Sequence, residues 1–131
     1  MFRLVKVLNG NNQCDVIKLN FAQSTVIDMG CALICSSGNA TSATSATSIP
    51  EFISLSSNKD ASCKKIDAIV VTTDMVFKVE YTGSISPTIG MSVGLSTLKS
   101  KMDAVTYNSS GKGTIIGMED DKKLVYVRFQ K

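Results

Sequence analysis

At 131 residues the chain holds one domain comfortably and two only with difficulty. With 44% hydrophobic and 19% charged residues it has the composition of a globular protein with a genuine core, which excludes a disordered segment. The net charge of +3 is carried by scattered Lys and Arg whose longest runs are the pairs Lys64-Lys65 and Lys122-Lys123. That is no basic stripe, so nucleic acid is not expected as a partner, and no run nears the roughly 18 apolar residues of a membrane span.

Short alternating runs dominate the chain, and they predict an all-β fold. Phe2 to Leu8 is the first, with apolar residues on both faces, Phe2 and Leu4 against Val5 and Val7. Its alternation of apolar and basic residues is unlike a secretory signal, so a protein starting here is expected to fold in a cytoplasm. Asn9-Gly10-Asn11-Asn12 is a hairpin signal leading to a strand over Cys14 to Phe21, with Ile17, Leu19 and Phe21 on one face and Lys18 and Asn20 on the other. Val26 to Cys35 is ambiguous and could hold a short helical turn before Gly30. Residues 39–49, with Thr-Ser-Ala repeated, are low in complexity and predict an exposed loop ahead of Pro50.

Glu51 to Leu55 and Ile66 to Val71 are short strands. Ile69-Val70-Val71, apolar on both faces, suits the middle of a sheet. Met75 to Tyr81 points Met75, Phe77, Val79 and Tyr81 inward. Met91, Leu95, Leu98, Met102 and Val105 have helical spacing, but Gly90, Gly94 and the Ser and Thr between them favour a strand followed by a turn at Lys99 to Asp103. Asn108 to Gly111 and Glu119 to Lys122 are turns. The closing strand, Leu124 to Phe129, sets Val125, Val127 and Phe129 against Tyr126 and Arg128. The sum is a single β-domain over residues 1–131, a compact barrel or sandwich of about nine or ten short antiparallel strands with little helix.

Chemistry is short of materials. The chain has no histidine, so ordinary Ser-His and Cys-His pairs are excluded, and no catalytic residue, cofactor or metal is expected. Ser110-Gly111-Lys112-Gly113-Thr114 looks like a phosphate loop only superficially, because Thr106 stands where the motif needs glycine and Gly113 where it needs Ser or Thr. Glu119-Asp120-Asp121 lacks the alternating oxygen ligands of a calcium loop. The four cysteines, Cys14, Cys31, Cys35 and Cys63, form no CxxC pair, and reduced, buried thiols are expected, with Cys31 and Cys35 acting as small hydrophobes.

One ordered set of segments carries a resemblance. It runs from Gly30-Cys31-Ala32-Leu33-Ile34 to Gly38, then Ile49-Pro50-Glu51-Phe52-Ile53-Ser54, Asp74 to Val79, Ile89-Gly90, Gly111-Lys112-Gly113-Thr114-Ile115-Ile116 and Tyr126-Val127-Arg128-Phe129. In that order the chain resembles the head-decoration, or capsid cement, proteins of tailed bacteriophages, over about three quarters of its length. The four cysteines and the Thr-Ser-Ala stretch depart from that pattern. The resemblance implies a compact β-module without an active site. It would sit on the virion's capsid surface, be assembled in the bacterial host cytoplasm, bind the major capsid protein and self-associate, with trimers favoured. The N-terminal segment lies outside the resemblance. It is either a core strand at the edge of the fold or an arm docking on a neighbour by strand addition, and the arm is the reading adopted. Met1, Phe2, Arg3, Leu4 and Val5 are then the candidate interface residues, and removing Met1 to Val7 would leave a folded monomer.

Overall fold

Among the described residues, eleven strands arranged in two sheets make up the fold, and no helix occurs. The structure, a computed structural model, describes residues 1–8, 14–22, 24–60 and 62–130. The predicted turn at Asn9 to Asn12 lies outside them. The first sheet contains β1 (Arg3–Val7), β7 (Met75–Thr82), β8 (Ser92–Ser96), β9 (Ala104–Tyr107), β10 (Gly113–Met118) and β11 (Leu124–Phe129). The second contains β2 (Val16–Leu19), β3 (Ala32–Ser36), β4 (Asn39–Ser42), β5 (Phe52–Ser54) and β6 (Ile66–Val70).

The first sheet closes into a barrel in the order β7-β11-β10-β8-β9, returning to β7. Closure rests on a parallel pairing, Glu80 with Ala104 through Thr82 with Thr106. The other pairings between named strands are antiparallel, as expected, and the last contact of the ring joins two strands that run the same way. The eight-residue length of β7 permits the arrangement, because its far half pairs with β9 while its near half, Met75 to Lys78, pairs with β1.

The second sheet has the order β2-β6-β5-β3-β4, and its ends approach each other where Ala40 donates its N–H to the Asn20 carbonyl at 2.7 Å. Its middle strands β3, β5 and β6 carry buried residues on both faces. Ala32, Ile53 and Ile69 join the barrel side chains Phe77, Val127 and Phe129 in one cluster, while Leu33, Ile66 and Ala68 face a smaller cluster with Leu19 and Ile27.

Most alternation is realised as expected. Met75, Phe77 and Val79 are buried, as are Val125, Val127 and Phe129, and Tyr81 is half-buried against the same cluster. The run from Met91 to Val105 is strand, turn and strand: the Asp103 carboxylate accepts the N–H groups of Leu98, Lys99 and Ser100 at 2.8, 3.1 and 2.9 Å and fixes the predicted turn.

Residues 39–49 are a loop only in part: 43–49 lie outside the strands, with Thr44, Ser45 and Thr47 exposed. Asn39–Ser42 is strand β4, and Ala40, Ser42 and Ala43 are buried. The hairpin from β3 to β4 turns on Ser37 and Gly38, at φ of 52° and 80°, the left-handed pair of a two-residue turn that matches strand twist. Of the two readings of the N-terminus, the chain takes the edge strand. Phe2 is 3% exposed, with its ring centroid 6.2 Å from Phe77 and 5.8 Å from Phe129, and Arg3–Val7 is an edge strand on β7. An aromatic ring of this size is worth more buried among two others than presented to water.

Candidate functional site

The pairing that closes the ring consumes the edges of β9 and of the far half of β7. β1 is left as the end strand of the first sheet, and its outer edge pairs with no strand among the described residues. An unpaired edge presents a row of backbone donors and acceptors and is a template for another strand.

Beside that edge lies an apolar cleft of about 260 Å³, lined by Val5, Lys6, Val76, Ile116, Gly117 and Tyr126. Its two outward apolar walls share a cause. Between Leu4 and Lys6 the register of β1 on β7 slips by one, and Val5 is the extra residue. Between Ile115 and Gly117 the register of β10 on β11 slips likewise, and Ile116 is the extra residue. A bulge bends its strand and re-aims a side chain. Val5 is accordingly 48% exposed and Ile116 39%.

The bulge in β1 also explains a sequence that looked apolar on both faces. Phe2 and Leu4 face the core before the slip; after it the alternation changes phase, and Val7, 9% exposed, faces the same core. Val76, paired with Lys6, forms the floor and is itself 1% exposed.

Polar contacts hold the far wall. Tyr126 sits across from Gly117 in the ladder, and a Cβ at position 117 would lie 3.3 Å from its ring, so glycine leaves the ring room to lie down. The Tyr126 hydroxyl donates to Glu119 Oε1 at 2.6 Å, and Lys78 Nζ lies 3.2 Å from the same oxygen. The tyrosine hydrogen bond, then Lys78, holds the Glu119 carboxyl below the usual carboxylate range. The same bond pushes the tyrosine up. Both shifts favour the arrangement seen, a carboxylate accepting from a neutral phenol.

The β1 edge itself is cationic. Arg3 and Lys6 are exposed, and neither makes an ion pair among the described residues. Of the five residues predicted for the interface, Arg3 and Val5 are exposed there, Met1 and Leu4 are half-buried, and Phe2 belongs to the core. Lys6, Val76, Ile116, Gly117 and Tyr126 escaped sequence reasoning. A signal existed: Leu4-Val5 and Ile115-Ile116 each break strict alternation with two adjacent apolar residues, the mark a bulge leaves in a sequence.

The cysteines offer little chemistry here. All four are free; Cys31 is buried, and burial pushes its thiol up to about 11, well away from the thiolate that would react. Cys35 is exposed, contrary to the expected burial, because it lies in the half of β3 that extends past β5. Comparison of the chain with protein-family models, with curated proteins and with solved structures gives no match.

Proposed function

We propose that this protein is a capsid-decoration module of a tailed bacteriophage, seated on the outer surface of the assembled head and performing no chemistry. The capsid comes from the sequence resemblance. The observation that carries the docking half of the proposal is the coincidence of three features on one face: the free edge of β1, the bulge-projected Val5 and Ile116, and the cleft between them.

A partner strand laid against β1 would gain backbone hydrogen bonds from the edge and specificity from a side chain entering the cleft. Arg3 and Lys6 select for acidic residues on that strand and disfavour a second β1, which would bring like charges face to face. The partner surface is therefore that of the major capsid protein, while the expected clustering of copies into trimers would use another face. A protein that binds the assembled shell and not its free subunits stabilises the shell by mass action, and many symmetric copies multiply a modest interface.

The test is to incubate the purified protein with undecorated, expanded heads of the parent phage and image them. Regular added density at symmetry-related positions is expected, and it should be lost with Val5→Asp, a change at a side chain exposed enough to leave the fold intact. Heads that stay bare across a range of salt concentrations would refute the proposal. Full decoration by the Val5→Asp variant would refute the assigned face.

A further inference from the structure

A second recess, of about 480 Å³, opens where the loop 24–28, strand β4 and the turn 99–101 meet, and it shares no residue with the β1 cleft. Its lining is rich in hydroxyls, from Ser24, Thr25, Thr41, Ser42 and Ser100. The remaining walls are two lysines, Lys99 and Lys101, one carboxylate, Asp28, and a single apolar side chain, Val26.

Both flanking loops are held in place before any ligand arrives. The Asn58 side chain accepts the Ile27 N–H at 2.8 Å and donates to the Thr25 carbonyl at 2.5 Å. The Ser54 hydroxyl donates to the Asp28 carbonyl at 2.5 Å and accepts the Cys31 N–H at 3.0 Å. On the opposite side Asp103, 4% exposed, gathers the N–H groups of the Leu98 to Ser100 turn. A site whose loops are already ordered spends little of its binding energy on ordering them.

Charge then chooses the ligand. Asp28 is already engaged: Lys59 lies 2.7 Å away, and Lys59 first and Ser100 second hold its carboxyl below the usual carboxylate range. Asp103 is turned into its own loop. Lys99 and Lys101 are exposed and make no ion pair among the described residues, so the uncommitted charge at the rim is positive. No aromatic platform lines the recess, so a neutral sugar would find hydroxyl partners and little else.

We propose that this recess binds an anionic carbohydrate, a sugar bearing a phosphate or carboxylate group. The lysines take the anion, the hydroxyls exchange hydrogen bonds with those of the sugar, and Val26 packs against the ring. The proposal does not depend on the capsid reading.

An amide NMR titration of the full chain with glucose-6-phosphate, glucuronate, glucose and inorganic phosphate tests it. The two charged sugars should give saturable shifts confined to residues 24–28, 41–42 and 99–101, with glucose and phosphate each binding more weakly. The double variant Lys99→Gln/Lys101→Gln, which keeps most of the side-chain stems, should bind both charged sugars about ten-fold more weakly or worse, with an unchanged melting curve. Absence of shifts in those segments overturns the proposal. Phosphate binding as tightly as glucose-6-phosphate reduces the site to a plain anion site and overturns the sugar; glucose binding as tightly overturns the anion.

Discussion

Single residues set what this surface can offer. Val5 and Ile116 are each the extra residue of a bulge, and each gives up a regular ladder position to stand outward beside the other across the cleft. Asp103 and Ser54 do the opposite: they are buried polar groups that satisfy backbone donors the strands leave over. Asp28 lies between these cases, held by Lys59 first and Ser100 second below the ordinary aspartate range. The sign follows from that direction. A carboxyl depressed in the folded state contributes stability above its unfolded pKa and loses it as pH falls through the folded value. An NMR titration should find the Asp28 midpoint below that of a free aspartate, and Lys59→Ala should raise it; an unmoved midpoint in that variant would show the ion pair to be incidental.

At the scale of elements, the sequence showed its strands wherever alternation met a large apolar residue and hid them where it did not. Met75 to Tyr81 and Leu124 to Phe129 were legible because Phe, Val and Met fill one face. Strand β4 was not, because its inward residues are Ala40 and Ser42, indistinguishable by composition from loop residues. The repeat serves packing: Ala43 is fully buried and donates its N–H to the Ala32 carbonyl, while the Ala46 carbonyl accepts the Leu95 N–H at 2.9 Å. So close an approach of the 43–47 segment to β8 needs small residues on both sides, and an added methyl at Gly94 would overlap the Ala46 carbonyl oxygen. Gly94→Ala should therefore cost about 1–3 kcal/mol, as overpacking does. A thermal melt should register this as a fall of several degrees in Tm, whereas an equal or higher Tm would mean that the 43–47 segment yields freely.

For the whole molecule, the decisive contact is the one that seats β1. Phe2 completes an aromatic trio with Phe77 and Phe129 in the larger core cluster, so the N-terminal strand is part of the core as well as part of the proposed docking face. Phe2→Ala should cost about 3–5 kcal/mol, a large share of the roughly 5–15 kcal/mol that holds a domain together. A chain lacking residues 1–7 should show no cooperative urea transition near the native midpoint; a shortened chain that melts as the full one does would restore the arm. The alternating pattern and the placing of glycines and polar turns determined by themselves an all-β chain, because period is a local property. Only the tertiary structure decided that five strands close into a barrel through one parallel pairing, that β4 is buried and that two bulges meet across a cleft. Each of these depends on which backbone lies beside which, between residues far apart in the chain, and no local pattern carries that information.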